Sequence, residues 1–366
     1  MRVMSTPRLL DVEITSKCNL RCKYCYHFNS AGETKEDIET EEWLRFFEEL
    51  KQCVVMEVCL GGGEPFLRDD LKEILSSLAR NQIRFSIMSN GTLITDEIAA
   101  FIAASKRCNY VQVSIDGSIP ITHDEMRGKG NFSRAINGLK TLLRHGITAT
   151  VRVTIHKGNV YDLEGIAELL LEEIGLNSFS TNSASYMGLC RRNAEQIMLT
   201  PKERSLAMVS LVKLEKKYNG RISAQAGPLA DGKIWLEMER ARKEGLLRLP
   251  GRGYLSACGA VFGKLAVRAD GVMIPCIQLS NIELGKINKD SLVKVWQEHP
   301  ELLKIRGRRS VHLSSFEFCE GCDYIPYCTG NCPALASNIL GKVNHPSPDA
   351  CLRRFLQEGG VLPENI

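Results

Sequence analysis

Apolar runs of strand length alternate with amphipathic helical segments through the first half of the chain. The runs are nearly continuous, which is typical of parallel strands that are covered on both faces. They occupy residues 9–15, 54–60, 83–88, 110–115, 147–155 and 176–181. Between them, apolar residues recur at helical spacing in residues 40–50, 69–80, 95–104, 132–144 and 161–174. This alternation predicts βαβ units and a parallel sheet of the α/β class.

Three threonines mark predicted helix starts. Thr40 and Thr95 stand before helical segments as N-caps. Thr200 is followed by Pro201 and Glu203, the pattern of a capping box with proline at the first helical position. A further helix is therefore expected to begin at Pro201.

The pattern changes in the second half of the chain. Residues 201–256 mix helix and turn signals, and we interpret them as a bridging region. After Cys258 come short strands around residues 264–274, short helices and clustered cysteines. The predicted organisation is a first domain over residues 1–200, a bridge over 201–256 and a small cysteine-rich α+β domain over 257–366.

Composition and charge narrow the range of functions. The 366 residues are 44% hydrophobic, enough for a full core, and the net charge of +4 gives no general reason to expect nucleic acid as a partner. The basic run at residues 304–309 is interpreted as a solvated helix end, with a dock for an acidic peptide as the alternative. We find no signal-peptide pattern and no apolar run of about eighteen residues. A cytoplasmic protein without membrane association is expected.

Fourteen cysteines are expected to be metal ligands more than disulfides in a reducing cytoplasm. Cys18, Cys22 and Cys25 form a C-x3-C-x2-C loop directly after the first predicted strand. Three thiolates can hold three irons of a 4Fe–4S cubane and leave the fourth iron open. Ordinary cubanes and structural zinc sites use four ligands, so a zinc knuckle is the weaker alternative.

A second group of cysteines lies near the carboxyl end of the chain. Its seven members have the spacing C-x12-G-x4-C, then C-x2-C-x5-C-x3-C, then one further cysteine, with Gly271 as the glycine. They are Cys258, Cys276, Cys319, Cys322, Cys328, Cys332 and Cys351. A zinc ribbon accounts for a C-x2-C pair but not for seven thiolates at these spacings.

The amino-terminal cysteine loop resembles the motif of the radical S-adenosylmethionine (SAM) enzymes. The resemblance implies a partial (βα)6 barrel and a cluster whose open iron binds SAM and yields a 5′-deoxyadenosyl radical. Tyr24, the aromatic residue before the third cysteine, would lie against the adenine. The other residues that it assigns to SAM lie at the ends of predicted strands, where active sites of parallel barrels lie, except Arg152, which lies on the fifth strand. They are Gly62, Gly63, Glu64, Ser89, Asn90, Ser114, Asp116 and Arg152.

Physical reasons support each of these assignments. Glycines let backbone carbonyls approach the SAM amine closely, and Glu64 would favour its ammonium charge. Ser89 and Asn90, with Ser114 and Asp116, would bond the ribose hydroxyls or the methionyl group. Arg152 would form a bidentate pair with the SAM carboxylate.

The seven carboxyl-terminal cysteines match the SPASM extension, which carries auxiliary clusters. The resemblance implies three 4Fe–4S clusters in all, one that binds SAM and two auxiliary. Cys319, Cys322, Cys328 and Cys351 would hold one auxiliary cluster. Cys258, Cys276 and Cys332 would hold the other, which leaves that cluster one ligand short.

Four cysteines remain, and one of them is a candidate for chemistry. Cys53, Cys59 and Cys108 lie in or beside apolar segments and are expected to be small buried hydrophobes. Cys190 falls in a polar loop that is expected to face the mouth of the barrel. It is a candidate fourth ligand or a catalytic donor of a hydrogen atom to a substrate radical.

Relatives with this architecture mostly modify ribosomally made peptides. Sulfatase-maturing relatives have an acidic residue after the cysteine of the G-x4-C element, and Ile277 stands there in this chain. The first strand begins near Leu9, so a leader peptide is expected to bind a separate protein or the barrel surface. We expect a peptide maturase that forms oxidative cross-links, fed by a flavodoxin- or ferredoxin-type electron donor. The alternatives are a cofactor or haem maturase, a peptide epimerase and, more remotely, an iron–sulfur electron carrier.

Overall fold

A ten-stranded sheet runs through the molecule. The computed structural model describes residues 3–30 and 36–363. Its strands are β1 (Leu9–Thr15), β2 (Glu57–Gly62), β3 (Arg84–Ser89), β4 (Cys108–Ser114), β5 (Ala149–Ile155), β6 (Phe179–Ser183), β7 (Ile222–Ala224), β8 (Lys264–Val267), β9 (Val272–Ile274) and β10 (Gly285–Lys286). Their order across the sheet is β10-β9-β8-β1-β2-β3-β4-β5-β6-β7. Strands β8 and β1 to β7 are parallel, and β9 and β10 extend the edge as antiparallel strands.

Among the described residues, ten α-helices lie between strands of the sheet, and four more follow β10. They are α1 (Thr40–Gln52), α2 (Leu71–Arg80), α3 (Asp96–Ser105), α4 (Pro120–Arg127), α5 (Asn131–Arg144), α6 (Leu163–Glu168), α7 (Gly188–Arg192), α8 (Ala194–Ile197), α9 (Pro201–Lys217), α10 (Pro228–Lys243), α11 (Leu292–Glu298), α12 (Pro300–Gly307), α13 (Pro333–Leu340) and α14 (Leu352–Gln357). A π-helical turn, Leu169–Glu173, continues α6. Among these described residues, no helix is long and apolar enough to span a bilayer.

The two faces of the strands differ in chemistry. Leu10, Val12 and Ile14 of β1 are buried in the main core, together with Trp43 and Phe47 of α1. Successive strand residues point to opposite faces, so the intervening positions line the concave side of the sheet. Those positions carry polar side chains on several strands, among them Asp11, Glu13, Cys59, Ser114 and Arg152. We call this concave side the lumen.

The structure confirms the predicted α/β class and the alternation of strands and helices in the first half. Thr95 caps α3, and Thr200 with Glu203 forms the expected capping box. The prediction for Thr40 is wrong, since Glu39 is the N-cap residue and the Thr40 hydroxyl contacts Asp70 instead. Helix α4 was not predicted, because its sequence lacks a continuous apolar face.

The bridging region connects the two predicted domains and also adds a strand to the sheet. It consists of α9, β7 and α10, and β7 pairs in parallel with β6. The sheet therefore has a seventh parallel strand beyond the six that apolar runs indicate. At the opposite edge, β8 pairs with β1 and places Lys264 beside Asp11. One continuous sheet crosses both predicted domain boundaries, and those boundaries stay predictions.

The basic run at residues 304–309 is not simply a solvated helix end. Arg306 and Arg308 are buried, and Arg308 has no exposed surface. The Arg306 guanidinium donates to the carbonyls of Val261 and Trp296, and it lies over the Trp296 ring. The prediction is therefore wrong for these two arginines, because tertiary packing of the cysteine-rich region covers them.

Candidate active site

The three amino-terminal cysteines lie together on the loop after β1. The thiol of Cys18 accepts a hydrogen bond from the Leu20 amide at 3.4 Å, and the Cys25 amide donates to the Cys22 carbonyl at 3.0 Å. The pKa of Cys18 is raised to about 11 and that of Cys22 to about 12, mainly by burial, with the neighbouring cysteines as a smaller cause. Metal binding would deprotonate such thiols. The donor set suits iron, which thiolates hold in clusters.

The glycines at the end of β2 allow the chain to lie directly against this loop. The Gly63 amide donates to the Thr15 carbonyl, and the Glu64 amide donates to the Lys17 carbonyl, both at 2.8 Å. A Cβ atom on Gly63 would lie 1.9 Å from the Lys17 oxygen, and one on Gly62 would lie 2.2 Å from the Thr15 oxygen. The φ angle of Gly62 is also +113°, which side chains disfavour. Both glycines are therefore required for the position of the cysteine loop.

Glu64 joins the end of β2 to the end of β3. Its carboxylate accepts hydrogen bonds from the Ser89 hydroxyl at 2.8 Å, the Asn90 amide at 2.7 Å and the Phe66 amide at 3.2 Å. Burial raises its pKa to about 7, although these hydrogen bonds oppose the shift. The side-chain amide of Asn90 donates to Asn19, one residue after Cys18. Glu64, Ser89 and Asn90 thus support the cysteine loop, and their direct bonds to SAM stay predictions.

The carboxylate of Asp116 accepts hydrogen bonds from three residues of the protein. It is fully buried, and its carboxylate accepts from the Tyr24 hydroxyl, the Arg127 Nε at 2.5 Å and the Thr154 amide at 2.8 Å. Burial would raise its pKa, but the charge of Arg127 and the nearby histidines hold that pKa below its usual value. Asp116 therefore holds Tyr24 and Arg127 in place, and its bond to SAM stays a prediction.

Tyr24 is fixed from three sides. Besides its bond to Asp116, its ring stacks on His156 at 5.6 Å between centroids, and the Arg127 guanidinium lies 5.3 Å from the ring centre. An amino group of Arg127 is 3.9 Å from the Cys22 sulfur. Sequence reasoning missed Arg127 and His156, since an arginine on a short polar helix and a histidine after a strand are common features.

Two polar atoms on β5 or directly after it are buried and have no hydrogen-bond partner among the described residues. They are the Nε of Arg152 and the Nε2 of His156. Arg152 lies beside Ser114 in the register of β4 and β5, so both side chains face the lumen. An unpaired guanidinium nitrogen fits the carboxylate of a ligand such as SAM.

The seven carboxyl-terminal cysteines lie in two groups of neighbouring thiols. One small cavity is lined by the thiols of Cys319, Cys322, Cys328 and Cys351, which also interact electrostatically. The thiols of Cys258, Cys276 and Cys332 interact with one another in the second group. Across residues 3–30 and 36–363, no three His, Cys, Asp or Glu side chains converge on a point that one metal ion could occupy. The ligand roles of all ten cysteines stay predictions.

The environment of Cys190 differs from the expected polar loop. The residue lies on α7 and is fully buried, with its sulfur 3.7 Å from the Met198 sulfur. It belongs to an apolar cluster with Tyr24 and Ile197, and burial raises its pKa to about 11. Its described contacts do not include Cys258, Cys276 or Cys332. Hydrophobic packing explains this position, and the geometry gives no support for a role as fourth ligand.

Charged side chains collect in the lumen on β1 and its neighbour β8. Asp11 and Lys264 form an ion pair of 2.6 Å, and both lie within electrostatic range of Cys276. Cys59 contacts Asp11, and burial raises the pKa of its thiol to about 12. Glu13 lies 3.4 Å from the His27 ring. The expectation that Cys59 is a hydrophobic core residue is therefore wrong, because its strand position faces the polar lumen.

The comparisons with known proteins agree with this arrangement. The family model of the radical SAM superfamily matches residues 12–170, and the model of the SPASM iron–sulfur cluster-binding domain matches residues 258–323. Fe-coproporphyrin III synthase of Methanosarcina barkeri is 28% identical over 92% of this chain and 86% of its own length. PqqA peptide cyclase of Rhizobium meliloti is 24% identical over 96% of this chain and 88% of its own length.

Among solved structures, Streptococcus suis SuiB bound to its precursor peptide SuiA has the same fold. It superposes with a TM-score of 0.70 at 18% identity, over 96% of this chain and 77% of that one. SAM and iron–sulfur clusters are thus the cofactors that the matched families bind. The chain belongs to the radical SAM superfamily and is a radical SAM enzyme with a carboxyl-terminal SPASM domain.

Proposed function

We propose that this enzyme modifies a ribosomally made peptide by oxidative cross-linking, through a thioether or carbon–carbon bond. The observation that carries the proposal is the charged group in the lumen, where the Asp11–Lys264 pair lies within electrostatic range of Cys276. Oxidative bond formation removes a proton as well as electrons from the substrate. A half-buried carboxylate near Cys276, a proposed ligand of an auxiliary cluster, suits that task. Two similar proteins, a peptide cyclase and a protein bound to a precursor peptide, support a peptide substrate.

The proposed cofactors are SAM and three 4Fe–4S clusters. SAM bound at the open iron would supply the radical chemistry, and the auxiliary clusters would supply an electron acceptor. Cys18, Cys22 and Cys25 would hold the first cluster, and the two carboxyl-terminal groups would hold the others. Tyr24 and Arg152 would orient SAM, and Gly62, Gly63, Glu64, Ser89, Asn90 and Ser114 would shape its site.

Asp11 is the proposed proton acceptor in the lumen. Burial raises its pKa, and Lys264 opposes that shift. The carboxylate can therefore take the proton that leaves the substrate, while Lys264 restrains the side chain through their 2.6 Å contact. Glu13, which is buried, is the neighbouring acid on the same face of β1.

The experiment is anaerobic incubation of the reconstituted enzyme with SAM, a reductant and a small peptide encoded beside its gene. Release of 5′-deoxyadenosine together with a peptide that has lost two hydrogen atoms is expected. Asp11→Asn should retain SAM cleavage and lose cross-linked product, because only proton removal is impaired. An unchanged peptide mass with an inverted residue would indicate epimerisation instead. In that case Cys190→Ala should stop the inversion if Cys190 is the hydrogen donor.

Modification of a porphyrin-type macrocycle is the second candidate. The 28% identity to Fe-coproporphyrin III synthase over nearly the whole chain favours it. Parallel incubation with a carboxylate-bearing iron porphyrin distinguishes the two, since only the true substrate should change mass in step with 5′-deoxyadenosine release. If no incubation releases 5′-deoxyadenosine, both candidate functions are refuted. That result would support an iron–sulfur electron carrier instead.

The proposed partners follow from the peptide assignment. They are the precursor peptide, a separate leader-binding protein and a flavodoxin- or ferredoxin-type electron donor, with cytoplasmic location. A pull-down of the holoenzyme with the precursor peptide, followed by mixing with reduced flavodoxin, tests the first and third of these.

A further inference from the structure

Arg308 is a buried arginine that the proposed reaction does not use. It begins the turn after α12 and has no exposed surface. Its Nε donates to the Ser256 carbonyl at 2.8 Å. Its two terminal amino groups are buried and have no hydrogen-bond partner among the described residues. A guanidinium with two unsatisfied donors is costly to bury, so something absent from the polypeptide is expected to satisfy it.

The charged neighbours of Arg308 are cysteines, not carboxylates. Burial lowers its pKa to about 10, and the thiols of Cys332 and Cys258 oppose that shift. A guanidinium keeps its positive charge at neutral pH even when it is buried. A buried cation usually has an acidic partner. The neighbours that interact favourably with the charge of Arg308 are Cys258 and Cys332, two members of the second cysteine group.

The backbone around Arg308 is tied to the same two cysteine loops. Ser256, which accepts the Arg308 hydrogen bond, stands two residues before Cys258. The Ser256 hydroxyl donates to the Asn331 carbonyl at 2.7 Å, one residue before Cys332. Ser256 therefore fixes the guanidinium at the point where the loops of Cys258 and Cys332 meet.

We propose that Arg308 is the counter-ion of the auxiliary cluster held by Cys258, Cys276 and Cys332. Its two free amino groups donate hydrogen bonds to sulfur atoms of that cluster. Its charge favours the reduced form, which carries one more negative charge, and so raises the reduction potential. The inference rests on the proposed iron–sulfur assignment of these cysteines.

The test is a redox titration of the holoenzyme, followed by electron paramagnetic resonance. Arg308→Met and Arg308→Gln should both lower the potential of this auxiliary cluster, because each removes the charge. Arg308→Lys should bring it back toward the wild-type value. Arg306→Met is the matched control, since Arg306 is also a buried arginine of this region but bonds carbonyls and shows no interaction with a cysteine. In Arg306→Met, the reduction potential of this auxiliary cluster should equal that of the wild type.

A second measurement does not need a charge-removing variant. Wild-type holoenzyme labelled with ¹⁵N-arginine should show nitrogen hyperfine coupling to the reduced auxiliary cluster, and Arg308→Lys should lose that coupling. Unchanged potentials in the Met and Gln variants, or no arginine coupling in the wild type, would overturn the inference. If Cys276→Ala removes no iron–sulfur signal, the cluster assignment itself fails, which is a separate outcome.

Discussion

The hydroxyl of Tyr24 donates a hydrogen bond to the carboxylate of Asp116, and both side chains are buried. The bond joins the residue before the third cysteine to the loop after β4. Arg127 shares the same carboxylate and lies next to the Cys22 sulfur. The shape of the cysteine loop is therefore set by a strand end far away in sequence as well as by the loop itself.

Replacing Asp116 tests this connection. Asp116→Asn leaves the buried Arg127 without its counter-charge, and breaking a buried ion pair in this way costs about 3–5 kcal/mol. We expect a large drop in the thermal midpoint and loss of iron from the first cluster, measured by iron analysis. The control is Asp96→Asn, which removes an exposed acid that contacts Arg144 and His145. A wild-type midpoint and full iron content in Asp116→Asn would contradict the role given to Asp116.

Glycine at position 63 is expected to be essential for the first cluster. In Gly63→Ala the new methyl group would meet the Lys17 carbonyl at 1.9 Å, so the chain must move away from the cysteine loop. Iron content should fall by about one cluster, and 5′-deoxyadenosine formation should stop. The matched control is Gly61→Ala, whose methyl group would meet only the Met88 side chain at 3.8 Å. If the two variants hold equal amounts of iron, the tight contact is not needed.

Arg152 is expected to contribute to SAM affinity. Arg152→Gln removes a donor that has no partner within the described protein, and hydrogen bonds to charged groups are worth about 1.5–3 kcal/mol. Binding of SAM to the holoenzyme should weaken by roughly tenfold to a hundredfold, measured by equilibrium dialysis. Arg84→Lys, at the start of β3 and the opposite end of the strands, should bind SAM normally. Equal affinities in the two variants would assign another group to the SAM carboxylate.

Acid should destabilise the fold through His123. Burial lowers the pKa of His123 to about 4, with Arg127 as the next cause, and its Nδ1 accepts the Asp116 amide at 3.2 Å. The unfolded chain therefore binds the extra proton more readily, and stability falls as pH decreases from about 6.5 to 4, by on the order of 3 kcal/mol. His123→Asn keeps an acceptor without this titration, so its thermal midpoint should fall less between pH 7 and 5 than that of the wild type. The exposed His312→Asn variant should follow the wild-type profile.

The hydrophobic pattern of the strands predicted where the candidate site lies, but it did not predict the partners of the individual side chains. Apolar runs located β1 to β4 and therefore the loops after them, because continuous hydrophobicity marks a strand that is covered on both sides. The alternation of side chains along β2 also indicates that Cys59 faces the lumen with Asp11. The apolar residues on either side of Cys59 make it resemble a core position. The short strand β7 could not be found in this way, since three residues carry no periodicity.

Local sequence determined the chemistry that the chain can host: thiols at fixed spacing, glycines where two backbones must touch, and helix caps such as Thr200. These features depend on neighbours along the chain, so spacing alone reveals them. The partners of buried charges were decided by the tertiary structure. Asp116 meets Tyr24 and Arg127, Asp11 meets Lys264, and Arg308 meets two cysteine loops, each across segments that the fold brings together. The free energy of a buried charge depends on its surroundings in three dimensions, and the order of residues does not specify them.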